Sequence, residues 1–246
     1  MKNLFYYLSR RVGKAISDFG LIEEGDRILV GVSGGKDSLA LLDFLMDKQR
    51  KSPVKFSLVP YHVQVFPEIS TILKDFTERK GIRIDIDEES FKGLNLAQAK
   101  KDVCFLCSWY RRKAIFFAAK RYGCNKVALG HNMDDVVQTF LMNVFFQSTI
   151  STMCPKQEFF SGEIIVIRPL VYLKEAELVK VAKEKGYPEL PKCPWAKDNR
   201  REEIKFVLKY LKSKNPRVDV VKNAFLSLMN INQNYLPKLE EGGGEG

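Results

Sequence analysis

The chain has 246 residues, 45% of them hydrophobic, and carries 40 Lys and Arg against 30 Asp and Glu, a formal net charge of +10. That length suits one large domain, or one domain with appendages, with enough apolar material for a core, and Lys, Arg or Asp interrupts every apolar run before it could span a membrane, which excludes a helical membrane protein. The positive excess points to a polyanionic partner, of which nucleic acid is the commonest. The first 14 residues are basic and aromatic without a small-residue cleavage site, so they do not read as a secretory signal, and five cysteines, an odd number, suit a reducing, cytoplasmic setting in which thiols serve chemistry or metal.

Residues 2–19 predict an amphipathic helix, with Leu4, Tyr7, Leu8, Val12, Ala15, Ile16 and Phe19 at helical spacing and Lys2, Arg10, Arg11 and Lys14 among them. Its exposed face is a candidate contact for a phosphate backbone. The run from Arg27 to Val32 reads as a buried strand and stops at Ser33-Gly34-Gly35, after which Leu39, Leu42, Leu45 and Met46 mark one face of a helix starting near Asp37. Paired glycines let the backbone turn tightly, and the first amides of the helix lack internal partners, which makes the turn an anion cradle. The spacing is not that of a Walker loop, and the third glycine of a dinucleotide fingerprint is missing. Ser33-Gly34-Gly35-Lys36-Asp37-Ser38 instead matches the pyrophosphate-loop signature Ser-Gly-Gly-x-Asp-Ser, whose bearers split ATP between its α- and β-phosphates and adenylate a substrate.

Strands are expected at 56–62, 83–87, 126–129 and 164–167, and helices at 66–80, 107–122, 133–146 and 174–185, with Gly81, Gly123 and Gly186 at helix ends. The alternation predicts an α/β fold, a doubly wound parallel sheet. Segment 192–222, with ten Lys/Arg and four Asp/Glu and interrupted by Pro216, predicts a small basic helical appendage. The expected organisation is therefore an N-terminal helix (1–20), a central domain (21–187), a helical C-terminal segment (188–239) and a disordered Gly/Glu tail (240–246).

Two cysteines, Cys104 and Cys107, lie at or just before the start of the third long helix, where the helix dipole favours thiolate. Cys193 sits beside Pro194 in a proline-punctuated loop, Cys124 reads as buried structure, and Cys154 is undecided. Three thiols suit an iron–sulfur cluster with one open iron or a zinc site with one open position. A second strand-to-helix loop, Leu129-Gly130-His131-Asn132-Met133-Asp134-Asp135, places acidic side chains at a helix start, with Asp134 the expected cap and Asp135 the expected functional group, able to hold Mg²⁺ on phosphates.

Taken in order, Ser33 to Ser38, Cys104-x-x-Cys107-Ser108 with Arg111-Arg112, Gly130-His131-x-x-Asp134-Asp135, Leu141-x-Asn143, Arg168-Pro169-Leu170 and the late Cys193 resemble the tRNA 2-thiocytidine synthetases (TtcA) and their 2-thiouridine relatives (TtuA). The resemblance covers about residues 20–200. It implies an adenine nucleotide alpha-hydrolase-like fold, an oxygen-sensitive [4Fe-4S] cluster on Cys104, Cys107 and Cys193, and tRNA as substrate, with a cysteine desulfurase or sulfide carrier as sulfur donor and a possible homodimer. Asn132 and Gln138 look more like the thiouridine group, whose flanking zinc-finger cysteines this chain lacks; a cytidine in the anticodon loop is the expected target, with uridine the alternative.

In the expected site Ser33, Gly34, Gly35, Lys36, Asp37, Ser38 and Gly130 bind ATP, Asp37 and Asp135 orient Mg²⁺, Lys36 neutralises phosphate charge, and Arg111 offsets charge developing in the reaction or contacts tRNA phosphate. His62 near the adenine is what the resemblance implies. The rival expectations are a lysidine-type pyrophosphate-loop ligase and a non-catalytic nucleotide-binding protein with zinc on the thiols.

Overall fold

The computed structural model describes residues 4–94, 103–195 and 200–236. Its elements run α1 (Leu4–Asp18), β1 (Arg27–Gly31), α2 (Lys36–Lys51), β2 (Ser57–Val63), α3 (Pro67–Arg79), β3 (Asp85–Asp87), α4 (Val103–Arg121), β4 (Lys126–Ala128), α5 (Met133–Gln147), β5 (Lys156–Phe159), β6 (Ile164–Ile167), α6 (Glu175–Lys185), α7 (Arg200–Lys214) and α8 (Val220–Ser227). The first three residues and the tail expected at 240–246 lie outside the described residues.

Six strands form one sheet in the order β3-β2-β1-β4-β6-β5. All neighbours are parallel except β5, which pairs antiparallel with β6. A wholly parallel sheet was the expectation. Strand β5 escaped it because Lys156-Gln157-Glu158-Phe159 has neither an apolar run nor an alternation, and charged composition of this kind protects a sheet edge from further pairing.

The central strands are buried on both faces, as parallel strands covered by helices must be. Ile28 and Val30 of β1 join Leu8, Val12, Leu41, Phe44, Leu45, Leu73 and Leu178 on one side of the sheet. Leu29 faces the other way, with Val127, Val166 and the alanines Ala114, Ala118 and Ala119 of α4. A third cluster packs α7 and α8 on α5 through Ile204, Leu208 and Phe225 against Met133, Val136 and Val137. Pro216 falls between α7 and α8, as its missing N–H requires.

At the end of the sheet where β1 and β4 begin, the ammonium of fully buried Lys126 bonds Asp26 at 2.7 Å and Glu23 at 2.9 Å. Asn125 locks the same corner, donating to Asp26 Oδ1 at 2.7 Å and accepting from the Arg27 amide at 2.9 Å. Helix α4 is already formed at Val103, ahead of the expected 107, because Val103 to Leu106 contains nothing that breaks a helix; both Cys104 and Cys107 therefore lie within it.

Candidate active site

The loops after β1 and β4 lie side by side at the strands' carboxyl ends, where the chain order reverses from β1–β2 to β1–β4. Open α/β sheets bind ligands in this crevice. The turn is made by Gly34 at φ +86°, a conformation that excludes most side chains. Ser38 closes it: its hydroxyl accepts from the Ser33 amide at 3.1 Å and donates to the Gly35 carbonyl at 2.8 Å, while the Ser33 hydroxyl lies 3.2 Å away. Both serines thus shape the loop as well as facing it. Gly35 is the N-cap of α2 and supplies no side-chain cap, so the first amides of the helix stay available to an anion.

Lys36 pairs with Asp37 at 3.2 Å and with Glu175 of α6 at 3.0 Å. Burial opposes its charge, but Asp37 and Glu175 outweigh burial and raise its pKa. Asp37 is pushed up to about 6, chiefly by burial, against the pull of Lys36 and helped by Asp135 and Glu175. Its Oδ1 is buried and has no hydrogen-bond partner. A half-satisfied carboxylate beside uncapped helix amides fits a phosphate-bound cation, so the donor set suits ATP with Mg²⁺.

Gly130 lets the two loops touch. A Cβ there would stand 3.0 Å from the Asp37 carbonyl carbon and 3.1 Å from the Ser38 nitrogen, backbone atoms that have no room to yield. Gly130→Ala is expected to lose nucleotide binding and about 1–3 kcal/mol of stability; isothermal titration with ATP and a thermal melt check both.

Asn132, rather than Asp134, caps α5, accepting from the amides of Asp134 at 2.9 Å and Asp135 at 3.3 Å. Asp134 reaches across instead to the Glu175 amide at 2.8 Å and so caps α6. The expectation failed because two residues able to cap stand almost side by side in the sequence, and the one just ahead of the helix has the better reach. Asp135 closes the capping box onto the Asn132 amide at 3.0 Å and takes Arg201 of α7 at 3.3 Å. His131, in the same loop, is lowered to about 4 by burial and by Arg168, opposed by Asp135, with Arg201 and Arg112 adding to the depression; it is neutral at physiological pH.

Among the described residues, the buried side-chain nitrogens and oxygens without a partner are Asp37 Oδ1, Arg111 Nε, His131 Nδ1 and Arg168 Nε. All belong to this end of the sheet. Buried orphans are rare in folded proteins, and their gathering marks where a polar ligand completes the structure. His62 is not one of them: it is buried, with Nδ1 2.7 Å from the Val32 carbonyl and Nε2 3.0 Å from the Ser70 hydroxyl. Burial lowers its pKa, the Val32 bond opposes this, and nearby Arg111 adds to it. Its ring braces the first loop from beneath.

The thiols approach the same crevice. Cys104 donates to the Trp195 carbonyl at 3.5 Å, and Arg111 Nη2 donates to the Cys107 sulfur at 3.4 Å. Cys193 is two residues before Trp195, within about 7 Å of it along the chain. Trp195 packs on Phe66 with ring centroids 5.4 Å apart, and Leu190 covers Gly34, where an added Cβ would meet it at 3.0 Å. The strap 188–195 therefore runs from the phosphate turn to the start of α4. Among the described residues no three His, Cys, Asp or Glu side chains are gathered at metal-holding distance; the contact between Cys104 and the Trp195 carbonyl brings the segment that carries Cys193 to α4, and three soft sulfurs suit an iron–sulfur cluster in their chemistry. Cys124 is buried, as expected, and Cys154 is exposed.

Glu175 and Arg201 were not singled out in the sequence. Each is an ordinary helical residue whose importance comes from partners 139 and 66 positions away.

The PP-loop domain family (ATP_bind_3) matches residues 6–214. The tRNA-cytidine(32) 2-sulfurtransferase of Herminiimonas arsenicoxydans is 39% identical over 238 residues, covering 93% of this chain and 73% of that protein. The enzyme of the same name from Geotalea uraniireducens is 35% identical over 241 residues, covering 95% and 94%. Among solved structures, the U34-tRNA thiolase NcsA from Methanococcus maripaludis, determined with its [4Fe-4S] cluster, superposes with a TM-score of 0.71 at 23% identity over 93% of this chain and 80% of that one; at that identity the likeness is one of fold.

Proposed function

Since the chain belongs to the PP-loop family, among the tRNA-cytidine(32) 2-sulfurtransferases, we propose that it uses ATP to replace the 2-carbonyl oxygen of cytidine 32 in tRNA with sulfur. The observation that carries this reading is the strap 188–195, which joins an uncapped phosphate turn to a helix bearing two thiols.

ATP lies over Gly34 and Gly35, with its phosphates on the first amides of α2 and near Lys36. The pyrimidine 2-oxygen attacks the α-phosphorus, the bond to the bridging oxygen breaks, and pyrophosphate leaves. A sulfide sulfur then attacks carbon 2, and the carbon–oxygen bond breaks with departure of AMP. Asp37 would hold a Mg²⁺ that offsets the phosphate charge, and Asp135, already bound by the Asn132 amide and Arg201, orients the second loop from behind. Arg111, with a buried Nε in search of an acceptor, stabilises negative charge as it moves onto the leaving phosphate. His62 holds the turn in shape through the Val32 carbonyl. Cys104, Cys107 and Cys193 would hold a [4Fe-4S] cluster, which when bound would supply iron able to bind sulfide. The sulfur comes from a cysteine desulfurase or a sulfide carrier, and the enzyme works in the cytoplasm as a homodimer. No helix among the described residues is long and apolar enough to cross a membrane.

Asn132 and Gln138 hinted at uridine, but both have structural employment, Asn132 as the cap of α5 and Gln138 as an acceptor for Arg201 at 3.1 Å. They therefore do not speak for either base. Mass spectrometry of tRNA nucleosides from cells with and without the protein tests the assignment: 2-thiocytidine is expected to disappear. Loss of a 2-thiouridine instead overturns the base, and an unchanged profile overturns the reaction.

The tRNA backbone meets Arg10 and Lys14 of α1 and the lysines of α7. Arg11, expected in this group, is turned inward to Glu177 and the Tyr172 carbonyl. Since such contacts release counterions, raising salt to ~0.5 M is expected to abolish tRNA binding in a filter or polarisation assay.

A further inference from the structure

The outer face of α4 is used by nothing described so far. The inner face packs Ala114, Ala118 and Ala119 on the sheet. On the opposite side Trp109, Lys113 and Phe117 recur every four residues, one vertical stripe of a helix. Trp109 is 48% exposed and Phe117 64%, although large rings normally contribute most when buried. Lys113 bridges them, its ammonium 5.4 Å from the Trp109 ring and 5.7 Å from the Phe117 ring. Tyr110 backs Trp109 edge-on at 4.9 Å and fixes its plane. Next to the stripe, at the tip of the β5–β6 hairpin, exposed Phe160 sits at φ +54° against Phe116.

Charge decides what fits this face. Helix α4 contains Arg111, Arg112, Lys113, Lys120 and Arg121 and no Asp or Glu. A second copy docked symmetrically here would set this cationic helix against its own image, since a two-fold interface pairs the same patch with itself. A polyanion whose monomers carry flat rings meets both features at once. Aromatic side chains interleaved with cations are what single-stranded nucleic acid stacks on. The same helix carries Cys104 and Cys107, which meet the strap 188–195, so a strand lying along it is delivered to the chemistry.

We propose that the Trp109–Lys113–Phe117 stripe is a base-stacking platform for unpaired nucleotides of the tRNA anticodon loop. It grips the bases flanking the one extruded into the crevice, as base-modifying enzymes require. The proposal rests on the tRNA reading above and adds the surface that holds the loop open.

The test is fluorescence polarisation of a labelled tRNA with the full chain, the wild type beside Trp109→Ala, Trp109→Phe and Phe117→Ala, with sedimentation velocity on each. The side chains are exposed, so folding is not at stake. Trp109→Ala is expected to weaken binding about tenfold or more, Trp109→Phe to restore most of it, and the slope of affinity against salt to stay as in the wild type, because no phosphate contact is lost. Undiminished binding by Trp109→Ala overturns the platform alone. So does a loss of binding that accompanies a change in oligomeric state, which would make the face an interface between copies. A wild-type chain that binds no tRNA overturns the tRNA reading as well.

Discussion

Asp37→Asn is expected to reduce ATP cleavage at least a hundredfold while making the folded chain more stable at pH 8. The two effects have one origin. The Asp37 carboxyl is buried enough to be pushed up to about 6, and one of its oxygens has no partner. Keeping it ionised costs folding about 2–3 kcal/mol. Because the folded-state pKa lies above the unfolded value, the native state binds more protons between the two, and this cost is absent below about pH 4, grows through pH 4 to 6, and is complete above. Asparagine carries no charge, so its advantage in a urea melt should be present at pH 8 and gone at pH 4. The same substitution removes the ligand for a phosphate-bound cation, a loss of electrostatic stabilisation that ordinarily costs two to three orders of magnitude in rate. Formation of AMP from ATP in the presence of tRNA measures the second effect. An Asp37→Asn variant that is active, or no more stable at pH 8 than the wild type, contradicts the assignment of this oxygen.

Cys104→Ser, Cys107→Ser and Cys193→Ser are each expected to abolish tRNA thiolation outright. None should unfold the protein: Cys104 and Cys193 are exposed and Cys107 is partly so, and substitutions at such positions usually change stability by less than roughly 0.5 kcal/mol. The anaerobically purified wild type should be brown, with broad absorption near ~400 nm that each serine variant lacks. Buried Cys124 is the control, since Cys124→Ser places a hydroxyl in an apolar cluster and should lower the melting temperature without bleaching the protein. A colourless wild type with stoichiometric zinc would favour the non-catalytic alternative, and full thiolation by any of the three serine variants would remove that thiol from the reaction.

The parts of this site that the sequence displays are those whose residues are neighbours. Ser33 to Ser38 specify a turn, a cap and a charge within six positions, and strand followed by helix supplies the context, so cradle and fold class are both readable there. Gly130 was readable as part of its own strand-to-helix loop, while the reason only a glycine fits there, the approach to Asp37, is tertiary. What could not be read is settled by tertiary partners. Asn132 takes the cap expected of Asp134 because it stands just ahead of the helix, and Asp134 finds the Glu175 amide 41 positions away. Arg11 looks like a surface cation until α6 places Glu177 against it. Lys126 gave no sign of being buried, for its partners Asp26 and Glu23 lie far earlier in the chain, Glu23 by 103 positions. Strand β5 is held by its pairing with β6, not by any periodicity of its own.

Because Leu190 rests on Gly34 while Trp195 rests on Cys104, nucleotide grip and thiol placement share a single piece of chain. A substitution that shifts either end of this segment is therefore felt at both the phosphate turn and the thiol-bearing helix.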